Sequence, residues 1–403
     1  MQTNPISSRL NRIYISHAHH PVIRVGLNAV SYGAPAAVKD IYGHGTTCVR
    51  ARFYSEIPGS HAHLADVNLE GWEYKVFDMT ARLIRVFDGK CTEPLPPAAQ
   101  VPEEKDLSLD FRSWTNHFTV AAIANIGLSE DLGFLEQGSD IISSGSMDGK
   151  VKKVSFRECR EASGTVAYRT IWAYDWFPAL KRLSKEGPPH NLEMGEIVAE
   201  ISIMMNAGSD TTAIALRNVL FFLLKNPRRM ARLCEEIDEV IGRDEVVAPY
   251  SKVKHLPYLR ACLDKSLRML PPVIFRDSET DAARGNNNSR RLCDQDKSVS
   301  ISAYVFHHDE TVFKNSNRYL PEWWLGEEGK SLRSYFTPFS TGARGCIGQD
   351  ISYLEQTVLL ASLVHRYAFA LPSPDWDPPI PETTNLSPGP MPWKTWRRVT
   401  PDE

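Results

Sequence analysis

The sequence predicts a mainly α-helical domain carrying a small β-rich lobe, and three observations lead there. A long core segment from about residue 192 to 224 contains the most apolar stretch of the chain, Ile197 to Leu224, interrupted by the charged residues Glu200, Asp210 and Arg217. A second helical pattern follows a glycine-framed cysteine near the C-terminus, with Ile347, Ile351, Leu354, Val358, Leu359 and Leu363 recurring at three- and four-residue steps. Short alternating segments near both ends of the chain read as strands.

Composition supports one large domain over residues 21–403, preceded by an N-terminal extension over residues 1–20. With 403 residues, 42% hydrophobic and 24% charged, the chain can bury a sizeable core. A net charge of -3 gives no argument for a nucleic-acid partner. The seven cysteines are odd in number and scattered, which suits a reducing, intracellular compartment and one special cysteine rather than a disulfide framework or a zinc site. The first twenty residues hold Arg9, Arg12, His17, His19 and His20 without an apolar stretch, so they read as neither signal peptide nor membrane anchor. The segment 197–224 is read as a core helix, not a membrane span.

Along the chain, residues 20–26 alternate as a strand and lead to a helix near 35–42. An amphipathic helix is expected near 70–87. After the long helix, Asn226 and Pro227 form an N-cap followed by proline at the first helical position, opening a helix to about Ile241 that closes at Gly242. A further helix ends at Leu270 before Pro271 and Pro272. Residues 298–306 alternate as a strand, followed by His307 and His308, which are expected in a loop, partly exposed. Adjacent strand residues diverge, so this pair is not read as a metal site. Residues 285–291 form a polar insertion, and 393–398 alternate as a closing strand after a proline-rich stretch. Asn287 and Asn385 match the glycosylation pattern by chance.

Two segments carry chemistry. The first is Phe339-Ser340-Thr341-Gly342-Ala343-Arg344-Gly345-Cys346-Ile347-Gly348. A cysteine ligates or attacks as the thiolate, and the start of a helix favours that form because unpaired N–H groups point at the sulfur. The second is Asn206-Ala207-Gly208-Ser209-Asp210-Thr211-Thr212, within the long helix. Its small and hydroxyl-bearing residues weaken helix propensity and can bond the preceding carbonyls, leaving room for a ligand beside the helix.

The first segment resembles the heme-binding loop of the cytochrome P450 family, FxxGxRxCxG, at every fixed position, and the second resembles that family's distal-helix run AGxDTT. The resemblance covers about residues 21–398 and is nearest to filamentous-fungal members of secondary metabolism. It implies a heme-thiolate fold, a heme b cofactor, and insertion of one oxygen atom from O2 into a small organic substrate. Electrons would come from NADPH through a flavoprotein reductase. Cys346 would be the axial ligand of the iron, Arg344 would hold a propionate, and Phe339 would shield the sulfur. Gly342 and Gly348 would permit close backbone approach. Asp210 and Thr211 would manage protons, while Ala207 and Gly208 would leave space at the porphyrin edge. Substrate choice would rest on residues 203–206 and on the C-terminal hairpin.

The chain departs from the family's pattern in three places. The glutamate of the ExxR pair is Lys265, three residues before Arg268, and the arginine of the PERW-type segment is Trp323 within Pro321-Glu322-Trp323-Trp324. Lys265 and Arg268 are then expected to lack an anion, because Asp264 points about 100° around the helix from Lys265. Family segments are also short around residues 61–72 and 179–189, which suggests an abbreviated chain. These departures motivate a second expectation: a heme-thiolate protein without O2 activation, such as an isomerase, dehydratase or ligand-binding pseudoenzyme, or a nonfunctional truncated paralogue.

Overall fold

The computed structural model describes residues 8–26, 29–35, 37–43, 48–50, 70–96, 101–145, 151–159, 194–273, 279–281, 298–342, 345–378 and 389–398. Among the described residues, the longer helices together with α2 are α1 (Ser8–His19), α2 (Ala37–Tyr42), α3 (Glu70–Asp88), α4 (Phe111–Leu128), α5 (Met194–Leu224), α6 (Pro227–Asp238), α7 (Pro257–Met269) and α8 (Gln349–Arg366), with shorter helical turns between them. The main core is built from α3, α4, α5, α7 and α8. Helix α3 shows how the pattern works: Val76, Met79, Thr80, Leu83, Ile84 and Phe87 repeat at helical spacing and are all buried. Helix α8 is buried nearly all round from Ser352 to Val364, as a central helix must be.

The strands form the smaller lobe. Strands β1 (Val22–Gly26), β2 (Ala29–Tyr32), β3 (Cys48–Arg50), β7 (Glu279–Asp281) and β8 (Ser298–Ile301) make one sheet in the order β1-β2-β8-β7-β3. Its β2–β8 pair is parallel and the others are antiparallel. Strands β4 (Leu109–Asp110), β10 (Pro392–Arg397) and β9 (Tyr367–Ala370) make a second sheet, and β5 (Ile141–Gly145) pairs with β6 (Val151–Ser155).

Local expectations fail in three places, each for a physical reason. Residues 298–306 do not continue as a strand: Ser302 accepts a hydrogen bond from the Val305 N–H and caps a short helix, Ala303–His307. That helical turn buries both histidines instead of leaving them partly exposed. His307 Nε2 accepts from the Thr337 N–H at 3.1 Å, and His308 Nδ1 lies 2.8 Å from the Tyr304 carbonyl, so each ring is fixed inside. Asn226 stands at the N-cap of α6, but its amide donates to the Phe222 carbonyl at 2.8 Å instead of capping. Ile347 is not part of the buried stripe of α8; it lies in the loop before the helix and is 50% exposed. Asn287, Asn385 and residues 285–291 lie outside the described residues, as do 61–69 and 179–189 of the two shortened stretches.

Candidate active site

Cys346 sits three residues before α8, in a loop closed by its own backbone. The Cys346 N–H donates to the Phe339 carbonyl at 2.7 Å, and the Gly345 N–H to the Gly342 carbonyl at 3.1 Å. These bonds turn the chain so that Cys346 is exposed while the helix that follows is buried. Gly342 adopts φ +60°, and a Cβ there would lie 2.2 Å from the Tyr42 carbonyl oxygen. No side chain fits, so the glycine lets the loop dock on the end of α2. Gly348 has φ -85°, a conformation open to any residue; what a Cβ would meet there is Cys346 Sγ, at 4.0 Å. Phe339 packs against the Tyr353 ring with centroids 5.1 Å apart. Ala343 and Arg344 lie outside the described residues.

The polar run lies in an unbroken stretch of α5. The Thr211 hydroxyl donates to the Ala207 carbonyl at 2.7 Å and the Ser209 hydroxyl to the Met205 carbonyl, the back-bonding expected of such residues in a helix. Asn206 and Ala207 are exposed, and Gly208 and Thr211 partly so, although residues on both sides are buried. The result is an exposed strip in the middle of a core helix, carrying small side chains and one hydroxyl. The open face of Gly208 is turned to α4, where a Cβ would lie 2.7 Å from Ile123 Cδ1, so this glycine sets a close helix contact. Thr212 Oγ1 and Ser352 Oγ are 2.9 Å apart, which ties the run to the first turn of α8. The strip and the cysteine loop therefore belong to one end of the same helix pair.

Asp210 is buried on another side of α5 and pairs with Arg112 of α4, Nη2 to Oδ1 at 2.8 Å. Sequence reasoning missed Arg112. The available signal was an arginine at the start of an otherwise apolar helix, a position that buries cations only when they are paired. Breaking a buried pair costs about 3–5 kcal/mol. Arg112→Leu is expected to lower stability by about that amount, measured by urea unfolding; a loss below about 1 kcal/mol would show that the pair is not what holds Asp210. Two turns further along α5, Arg217 is buried, and its acidity is raised by burial, the pKa falling to about 9.

These residues fit a flat, largely apolar macrocycle held by one thiolate: an exposed sulfur at a helix start, and an exposed strip on the helix to which α8 is tied. Among the described residues no group of three or more histidine, cysteine, aspartate or glutamate side chains could hold a bare metal ion. The cytochrome P450 family model matches residues 157–394, more than half of the chain. The chain belongs to the cytochrome P450 family. It is accordingly an oxidoreductase of the heme monooxygenase class. The cytochrome P450 monooxygenase efuB of Hormonema carpetanum is 25% identical over 419 residues, covering 91% of this chain and 82% of that relative. The cytochrome P450 monooxygenase poxM of Penicillium oxalicum is 24% identical over 402 residues, covering 87% of this chain and 77% of that relative. The fold resembles the cytochrome P450DA heme domain, with a TM-score of 0.73 at 15% identity over 97% of this chain and 93% of that one. No helix among the described residues is long and apolar enough to cross a membrane.

Against the P450 pattern, the two altered bracing residues lie against each other. Lys265 is fully buried, and its amine stands 3.3 Å from the centre of the Trp323 ring. Burial, reinforced by the charge of Arg268, pulls the Lys265 pKa down to about 5, so at neutral pH an uncharged amine rests on the indole. The two substitutions meet: where the family pattern places a glutamate and an arginine, this P450 places an amine and a π-face. Arg268 keeps its charge at neutral pH, its pKa pulled down by burial only to about 9. It donates to the carbonyls of His307 and Ser316. Glu310 supplies the nearby negative charge, accepting from the N–H and hydroxyl of Ser316 at 2.9 and 2.7 Å. As expected from the sequence, neither Lys265 nor Arg268 forms an ion pair among the described residues; Lys265 is uncharged at neutral pH, and Arg268 is held by two carbonyls with Glu310 as the nearby charge.

Asp264 does not reach Lys265, as its place on the helix predicts, but it braces the cysteine loop from the other side. The buried carboxylate pairs with Arg260 at 2.9 Å and Arg333 at 3.2 Å, and accepts from the Tyr353 hydroxyl at 2.7 Å. Tyr353 in turn supports the ring of Phe339. Burial, with the adjacent Asp264 charge, raises the Tyr353 hydroxyl well above its ordinary pKa, which keeps it a donor.

Proposed function

We propose that this P450 inserts one oxygen atom into a small organic substrate of fungal secondary metabolism, taking electrons from NADPH through a flavoprotein reductase. The observation that carries this reading is the exposed Cys346 at the start of α8, tied through Ser352 and Thr212 to the exposed strip of α5. When bound, the heme supplies reductive activation of O2 and transfer of one oxygen atom. Cys346 would hold the iron through its sulfur, and Arg344 would take a propionate. Phe339, fixed by Tyr353, keeps water from one side of the sulfur, and Gly342 and Gly348 keep the loop close to its supports. Ala207 and Gly208 leave the α5 wall low. Thr211 Oγ1 is the exposed hydroxyl on that wall and holds its proton toward the Ala207 carbonyl at rest. Asp210, paired with Arg112 at rest, would swing away from it by a side-chain rotation, take up a proton from solvent and pass that proton on to Thr211. Met205 and Asn206 stand at the substrate end of the strip, and the β9–β10 hairpin would close the pocket.

The names of the fungal relatives, each a cytochrome P450 monooxygenase, support the reaction class, and the Lys265–Trp323 contact supports reading the two altered residues as packed against each other. The test is the absorption spectrum of the reduced, carbon monoxide-bound protein, expressed with heme precursor, followed by NADPH consumption with a fungal reductase. A Soret band at the red-shifted thiolate position with substrate-dependent NADPH consumption is the expected result. A band at the neutral-ligand position, or no heme band, would overturn it.

A further inference from the structure

A separate cavity of about 200 Å³ opens between α4 and the β5–β6 hairpin, lined by Ser113, Asn116, His117, Ser139, Asp140 and Arg157. Its acceptors are already occupied from within the protein. Asp110, below Ser113, takes the N–H groups of Arg112 and Met391 on Oδ1, and the N–H and hydroxyl of Ser113 on Oδ2. Asp140 Oδ2 takes the Ser155 hydroxyl and the Arg157 N–H, each at 2.8 Å.

The deep nitrogens are in the opposite condition. Asn116 Nδ2 and His117 Nδ1 have no hydrogen-bond partner, although Asn116 is 1% exposed and His117 is 7% exposed. Buried polar groups left unpaired cost about 1–3 kcal/mol each; Asn116 Nδ2 needs an acceptor, and His117 Nδ1 becomes a donor to one in the Nδ1–H tautomer or on protonation. The Arg157 guanidinium lines the same cavity and adds positive charge.

We propose that this cavity binds a small oxyanion, a phosphate or carboxylate group, held by Asn116, His117 and Arg157. The groups facing His117 are Asp140 and Arg157 from the hairpin side and Asp110, Trp114 and Phe134 from α4 and the turn after it. Burial, helped by Arg157, holds the ring neutral at neutral pH, while Asp140 and Asp110 pull the other way. An arriving anion adds to those two carboxylates and moves the ring toward protonation.

The test uses the full-length, heme-loaded protein in a non-coordinating cationic buffer. Inorganic phosphate and acetate are titrated by calorimetry, and the His117 ring is followed by NMR. Saturable binding of either probe, with a shift of the His117 ring resonances, is expected; preference for phosphate or for acetate assigns the anion class. Asn116→Leu and Arg157→Gln are each expected to weaken binding by at least about ten-fold, the value of one charge-assisted hydrogen bond. Arg157 is less deeply placed than Asn116, so its variant serves if the Asn116 change disturbs folding. No saturable binding of either probe, or binding unchanged in Arg157→Gln, would overturn the proposal. None of these readouts depends on oxygen chemistry at Cys346.

Discussion

Cys346→Ser is expected to abolish the red-shifted band of the reduced, carbon monoxide-bound protein and with it all substrate oxidation, while far-ultraviolet circular dichroism stays close to that of the parent. The sulfur is exposed, so replacing it by oxygen removes little packing, and the loop bonds that shape the site come from the backbone. What is lost is the donor that only a thiolate supplies. Three of the other described cysteines are poor substitutes for it. Burial pushes the thiols of Cys91, Cys234 and Cys262 above their ordinary range, which holds them protonated. A variant that keeps the thiolate band would show that Cys346 is not the ligand.

Lys265→Met is expected to stabilise the protein at pH 7 by about 1–4 kcal/mol, the range seen when buried ionisable groups give way to well-packed apolar ones. The pH dependence identifies the cause. In the folded protein Lys265 titrates at about 5, against 10.5 for an ordinary lysine. Between those values the unfolded chain holds one more proton than the folded one, so folding releases it, and this lysine's contribution to stability rises with pH by up to about 1.4 kcal/mol per unit. The advantage of Lys265→Met over the parent should therefore shrink by about that slope between pH 6 and pH 8, measured by urea unfolding at each pH. Comparing variant with parent matters because Glu355 acts in the opposite direction. Its fully buried carboxyl is raised by burial well above the ordinary value, so its contribution to stability falls as pH rises. An advantage that does not change between the two pH values would mean that Lys265 is charged in the folded state.

A structural consequence joins these two results. Two neighbouring residues of α7 make separate sets of contacts: Lys265 rests on the Trp323 indole, and Asp264 holds Arg333 and Tyr353, the latter packed on Phe339 of the cysteine loop. Lys265→Met disturbs the first and leaves the second, so heme content is expected to survive the substitution that raises stability.

The order of legibility follows the range of the interactions. The sequence by itself determined what is local: the cysteine loop, whose phenylalanine, glycines, arginine and cysteine fall within ten residues, and the helices, whose apolar spacing needs no partner to be seen. The hydroxyl back-bonds of Ser209 and Thr211 were readable for the same reason, since each closes within one turn. Where a short-range signal competes, local reading failed: alternation over 298–306 lost to the Ser302 cap, and the buried stripe of α8 does not extend back to Ile347.

Only the tertiary structure decided the partners. Arg112 and Asp210 are 98 residues apart, and Asp264 and Tyr353 are 89 apart. Lys265 and Trp323 looked like two separate losses in the sequence and are one contact in the fold. Charge and π-contact energies fall off within a few ångströms and depend on burial, and both quantities are fixed by how helices distant in sequence pack, which no local pattern encodes.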